Sequence, residues 1–178
     1  TRYIGDWSSD VCSSDLRAAR RGLDPLDARP HAGPGGRAPG GVSVVSAWTG
    51  GTFGERGRCV LAPNADMMTL DGTNTWVLRE PGARRSVVID PGPSIASHLD
   101  AVAEAAGGPG AVGVVLLTHH HHDHAEAARE FAERMGCGVR ALDPALTLGG
   151  EGLRDGDVVE VDVLEVRVVA TQIGRAHV

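Results

Sequence analysis

Residues 118–124 read Thr118-His119-His120-His121-His122-Asp123-His124, and histidine with carboxylate is a usual donor set for zinc. A tetrahedral site needs such donors converging from a rigid turn. His119 and His121 stand two apart, so in an extended segment both side chains point the same way and can grip one ion. Asp123 and His124 fall where a following helix would begin, so they can face a neighbouring position, and Asp123 suits the positive end of that helix. One strand-to-helix turn thus offers ligands to two ions. By the same alternation His120 and His122 point away, toward solvent or packing. Four consecutive histidines also resemble an adventitious nickel-binding run or an inserted tag. A tag, however, is terminal and does not continue into Asp-His between a strand and a helix.

The turn needs a strand before it and a helix after it, and the flanking pattern supplies both. Residues 111–117 are a nearly unbroken apolar run, which predicts a buried strand. Residues 125–135 predict a helix with Ala128, Phe131 and Ala132 on one face and Gly136 as its stop. Upstream, residues 59–61, 75–78 and 86–89 are short β-prone runs bounded by Pro, Asn, Asp and Gly, and 42–47 suits a first strand. Ser94 or Ser97 can cap a helix ending near Ala106, with Leu99, Val102 and Ala106 on its inner face and His98 read as exposed. Residues 139–142, 158–161 and 164–169 read as later strands, with Asp155-Gly156 a turn before the second. Strands and helices interleave in an α/β order without an internal repeat.

Composition narrows the class. The 178 residues are 42% hydrophobic and 22% charged, an ordinary globular balance. A net charge of −6 provides no global basic field for nucleic acid. All 17 basic residues are Arg, which with abundant Gly, Ala and Pro indicates GC-rich coding DNA. Cys12, Cys59 and Cys137 are too few and scattered for a disulfide framework or a Cys-x-x-Cys zinc site, and predict a reducing, cytoplasmic setting. Cys59 and Cys137 read as small buried residues. The longest apolar run falls far short of the roughly 20 residues that cross a bilayer, so no membrane is expected.

Both ends read as foreign. Residues 6–16 translate one frame of a common short-read library adapter, and residues 173–178 translate its counterpart. Residues 1–16 and 172–178 are therefore expected to be adapter-derived, 17–41 a flexible or spurious segment, and 42–171 part of one domain from a longer parent.

The spacing His119-x-His121-x-Asp123-His124, after an apolar strand and Thr118, resembles the H-x-H-x-D-H motif of the metallo-β-lactamase superfamily. Gly72-Thr73-Asn74-Thr75-Trp76 is similar to the Gly-Thr-Asn-Thr-aromatic element of the branch holding glyoxalase-II-like and β-lactamase-like protein 2 enzymes. Ile89-Asp90-Pro91-Gly92 resembles the superfamily's earlier Asp-x-Gly element. The resemblance runs from about Arg58 to Thr171. It implies the N-terminal half of an αββα sandwich whose second half is missing. It implies His119 and His121 on a first zinc, Asp123 and His124 on a second, and Asp123 handling the proton. Asp90 would support the histidine turn without binding metal, although before Pro-Gly it could be only a turn former. Asn74 lines the substrate cleft or caps local backbone.

The implied activity is zinc-dependent hydrolysis in the parent, with metal-activated hydroxide attacking a thioester, ester or phosphodiester. The partner would be a small-molecule substrate or RNA, and the oligomeric state stays open. The alternative is a non-catalytic metal-binding or structural protein. With two ligands per ion, the chain itself is expected to bind zinc weakly and be inactive. One face of strands 87–89 and 114–117 should lack its covering sheet, so the chain is expected to aggregate or be partly ordered.

Overall fold

The computed structural model describes residues 47–171. Both adapter-like ends, the 17–41 segment and all but Ala47 of the expected 42–47 strand lie outside the described residues. One compact unit includes Thr49–Val178, and the account below concerns that unit; a second, Val11–Trp48, lies almost wholly outside the described residues.

Six strands form one sheet in sequence order: β1 (Gly51–Phe53), β2 (Gly57–Leu61), β3 (Asn74–Leu78), β4 (Ser86–Ile89), β5 (Val112–Leu116) and β6 (Gly138–Arg140). The first four pair antiparallel through short connections. From β4 onward pairing is parallel, with Val87 opposite Val114 and Val88 opposite Val115. Parallel neighbours need crossovers, and helix α1 (Ala96–Ala106) supplies the first. Helices α2 (His122–Ala125) and α3 (Ala128–Met135) lie in the second.

Alternation along the strands sorts their side chains into two cores. Val77, Val88, Val115 and Val139 pack with Leu99, Val102 and Ala106 of α1 and with Phe131, Ala132 and Met135 of α3. Leu78, Val87, Val114 and Leu116 point to the other face. That face was expected to be uncovered, but the hairpin β7 (Val158–Val161) and β8 (Leu164–Arg167) packs Val159, Val161 and Leu164 on it, with Leu153 beside them. The start of a second sheet thus already shields Val87 and Leu116. This three-layered α/β arrangement is the half-sandwich that the resemblance implies.

Two contacts seat the hairpin. At its tip Asp162 accepts from the backbone N–H of Arg85 (2.8 Å) and Arg84 (3.0 Å) and from Arg85 Nε (2.9 Å). Those Arg85 bonds hold the carboxyl below its usual range. Beneath the hairpin, a Cβ on Gly113 would come within 2.5 Å of Val161 Cγ1 and 2.9 Å of Cγ2. Valine is stiff at χ1 and cannot swing aside. Gly113→Ala is therefore expected to lower stability by about 1–3 kcal/mol, the usual range for overpacking. An unchanged urea midpoint would show that the hairpin does not sit this closely.

Most elements fall where the pattern puts them, with three differences. Helix α1 takes Ile95 as its N-cap without a side-chain cap; Ser94 instead turns to Glu126 and Glu130. The helix expected over 125–135 begins earlier and breaks between α2 and α3, because the Ala127 N–H bonds to the Gly92 carbonyl (3.1 Å). His98, read as exposed, is buried at 2% exposure and faces inward with Val102. Among the described residues, no helix is long and apolar enough to cross a membrane.

Candidate metal centre

The parallel pairing of β4 and β5 brings two loops side by side at the C-terminal ends of the strands. Asp90 follows β4 directly, and its N–H bonds to Leu116 O at 3.0 Å. Thr118 opens the turn after β5, and its N–H donates to Asp90 Oδ1 at 2.8 Å. The Thr118 hydroxyl donates to Asp90 Oδ2 at 2.6 Å. Since that proton goes to a carboxylate, the same hydroxyl oxygen accepts from His119 Nδ1 at 2.9 Å. His124 Nδ1 lies 3.0 Å from Asp90 Oδ2 and, facing an acceptor, donates to it.

A continuous line of bonds therefore runs from His119 through Thr118 to Asp90 and back from His124. Its consequence is chemical: both histidines carry the proton on Nδ1, which leaves the Nε2 lone pair for a metal. The His119 ring sits 4.5 Å from that of His121 and 4.3 Å from that of His124. His124 Nε2 stands 3.2 Å from Asp123 Oδ2. Ligand atoms about 2.0–2.1 Å from a tetrahedral zinc lie about 3.3 Å from one another, so this pair already has a zinc-like spacing. The donor chemistry, the tautomers and the spacing all fit the ion.

Asp90, His119 and His124 also place a potential ligand atom each within 4.8 Å of the others. The two Asp90 oxygens, however, already accept three hydrogen bonds in a site that is 4% exposed. Asp90 is thus engaged as a hydrogen-bond acceptor by Thr118 and His124 before any ion is considered.

The electrostatics divide the two histidines. Burial works against a charge on His124, but the bonded Asp90 carboxylate and then Asp123 outweigh it and raise its pKa. Burial, followed by the nearby His124, lowers the pKa of His119, with Asp90 and Asp123 partly opposing. A cation is welcome beside His124 and a free lone pair is favoured on His119. The metal can occupy the place that a proton on His124 Nε2 would otherwise take.

His120, His121 and His122 are all exposed, so exposure does not set the first and third apart from the expected ligand His121, and His122 Nδ1 stands 3.5 Å from Glu126. Asn74 turns inward to accept from the Cys59 thiol at 3.2 Å. Burial raises that thiol's pKa to about 12, so Cys59 is an inert packing group, as the sequence predicts. Cys137 is half-buried.

Sequence reasoning missed the group behind Asp123. The buried Thr73 donates to Asp123 Oδ2 at 3.3 Å, while its N–H bonds to Asn64 Oδ1 (2.9 Å) and its hydroxyl accepts from Asn64 Nδ2 (3.0 Å). The available signal was the Gly-Thr-Asn-Thr element, whose first threonine is this one. Nothing local marked Asn64, nine positions away.

Residues 68–173 match the family described as the Metallo-beta-lactamase superfamily. Among curated proteins, the chain is 33% identical over 98 residues to a hydroxyacylglutathione hydrolase of Ectopseudomonas mendocina, covering 53% of this chain and 36% of that protein. It is 41% identical over 69 residues to a beta-lactamase-like protein 2 homolog of Drosophila melanogaster, covering 36% and 22%. Among solved structures, a subclass B3 metallo-beta-lactamase of Bradyrhizobium japonicum superposes with a TM-score of 0.54 at 15% identity. That alignment covers 71% of this chain and 53% of the solved one, and at such identity it concerns the fold alone. The chain thus spans 22% to 36% of the length of these two curated relatives.

Proposed function

This chain belongs to the metallo-beta-lactamase superfamily, and on that premise we propose that the whole protein is a zinc-dependent hydrolase of thioesters. The observation that carries the proposal is the bonded line His119–Thr118–Asp90–His124, which leaves two Nε2 lone pairs free, that of His124 3.2 Å from Asp123 Oδ2. His119 and His121 would hold one zinc ion, and Asp123 with His124 a second. The chemistry that zinc would supply there is a water acidified to a pKa of about 7 and a polarised scissile carbonyl oxygen, which would suit hydrolysis at neutral pH.

The chain's own residues do the rest. Asp90 fixes the ring planes and tautomers of the histidines. Thr73 steadies Asp123 Oδ2, where the proton of the attacking water is handled. Among ester-like and phosphodiester substrates, a thioester is favoured because several of the similar curated proteins are named hydroxyacylglutathione hydrolase. A small-molecule substrate suits the net charge of −6 better than RNA does, and the scattered cysteines support a cytoplasmic setting. With two ligands for each ion, the chain as given should bind zinc weakly and show no turnover.

The test is hydrolysis of a hydroxyacyl-glutathione thioester by the whole protein. Activity is expected to vanish on chelation and return with zinc. A zinc-loaded protein inert toward thioesters would overturn the substrate class. Undiminished activity in the chelated, metal-free protein would overturn the metal reading.

A further inference from the structure

His98 is buried at 2% exposure and takes no part in the metal centre. Its Nε2 lies 2.9 Å from Thr75 Oγ1, itself buried, which lies 2.7 Å from the carbonyl oxygen of Asp90. A carbonyl only accepts, so the hydroxyl proton of Thr75 goes to Asp90. His98 Nε2 must then be the donor to Thr75. The ring is thus the Nε2–H tautomer, and its buried Nδ1 has no hydrogen-bond partner. An apolar side chain of the same size would leave no such orphan, so packing alone does not account for a histidine here. Burial pushes this imidazole below its ordinary range, with the Pro91 backbone offsetting part of the effect.

What His98 supports is a strained junction. Asp90 has a left-handed backbone (φ 50°), which side chains other than glycine seldom adopt. Gly92, at φ 86°, donates to His124 O at 3.2 Å and accepts from Ala127 N at 3.1 Å, tying the junction to the helix that carries Asp123 and His124. A Cβ on Gly92 would come within 3.1 Å of His98 Nε2, so the ring fills the space beneath the junction. The backbone of Asp90 in turn sets where its carboxylate meets Thr118 and His124.

We propose that His98 is a positioning residue for the metal centre, acting through Thr75 on the backbone of Asp90 and by contact on Gly92. The inference rests on the metal-centre reading for its consequence in zinc affinity, but not for its effect on the junction.

The test uses the 178-residue chain with His98→Leu, His98→Gln, Thr75→Val and the double variant His98→Leu/Thr75→Val. Amide hydrogen exchange is read without metal, and affinity by titration with zinc alone. His98→Leu is expected to speed exchange of the Gly92 and Thr118 amides at least about tenfold while leaving β2 and the β7–β8 hairpin unchanged. It should also weaken zinc binding about tenfold, the lower end for groups that orient ligands. His98→Gln, which keeps a donor near Nε2, should restore both to within about threefold. In the Thr75→Val background, His98→Leu should change little further, since residues acting through one bond are not additive.

Unchanged Gly92 and Thr118 amides in His98→Leu would overturn the proposal. So would equally faster exchange everywhere, a glutamine variant no better than leucine, or fully additive effects. If the unsubstituted chain binds no zinc, that tells against the metal centre, and the amide comparison still decides the role of His98.

Discussion

Asp123→Ala or His119→Ala in the whole, zinc-supplied protein is expected to abolish turnover. Asp123 is asked to do two things at once, holding an ion beside His124 Nε2 at 3.2 Å and handling a proton at an oxygen steadied by Thr73. Loss of proton handling alone is worth about 10²–10⁴-fold, and loss of the ion comes on top of it. His119 contributes one of the two nitrogens whose tautomer is fixed by the Thr118–Asp90 line. Its removal should lower the zinc content as well as kcat. Both substitutions fall in a turn that carries little of the apolar core, so the folded state should survive. Full activity in either variant, measured on zinc-loaded full-length protein, would remove the residue from the site.

Asp90→Asn should be nearly as damaging to metal binding, for a different reason. Thr118 N–H, Thr118 O–H and His124 Nδ1–H all converge on this carboxylate. An amide can place an oxygen against only one side of that group of donors, so its NH₂ meets at least one donor. Each buried donor left unsatisfied costs about 1–3 kcal/mol. Asparagine tolerates the left-handed backbone found at Asp90, so the substitution isolates the side chain from the strain. Zinc affinity is expected to fall about 10–100-fold, together with a lower urea midpoint. Wild-type values of both would mean that Asp90 is only a turn former.

The turn that carries the histidine cluster was legible because its geometry is local: a flanking apolar strand settles where the turn lies. The strands were legible for the same reason, apart from β1, whose Gly51-Thr52-Phe53 is too short to show a period. The break between α2 and α3 was not. Its sequence, Ala125-Glu126-Ala127, is good helix, and the interruption comes from a backbone bond to Gly92, far away in the chain. His98 misled because its type argued for solvent while its spacing from Val102 and Ala106 argued for the core. Spacing was the better guide. The covering hairpin was hidden in another way, since its strands were visible but the face they would cover was not.

The bonds that set the histidine turn join residues 28 and 34 positions apart, across a parallel pair of strands whose crossover is a helix. Chain entropy of that order must be lost before any of these contacts repays it, so the turn is expected to assemble no earlier than the β4–β5 pair on which it stands. An ion that binds only the finished turn has little to hold in the transition state. It would then leave the rate of folding almost unchanged and act by slowing unfolding, so that metal occupancy governs the protein's lifetime more than its formation.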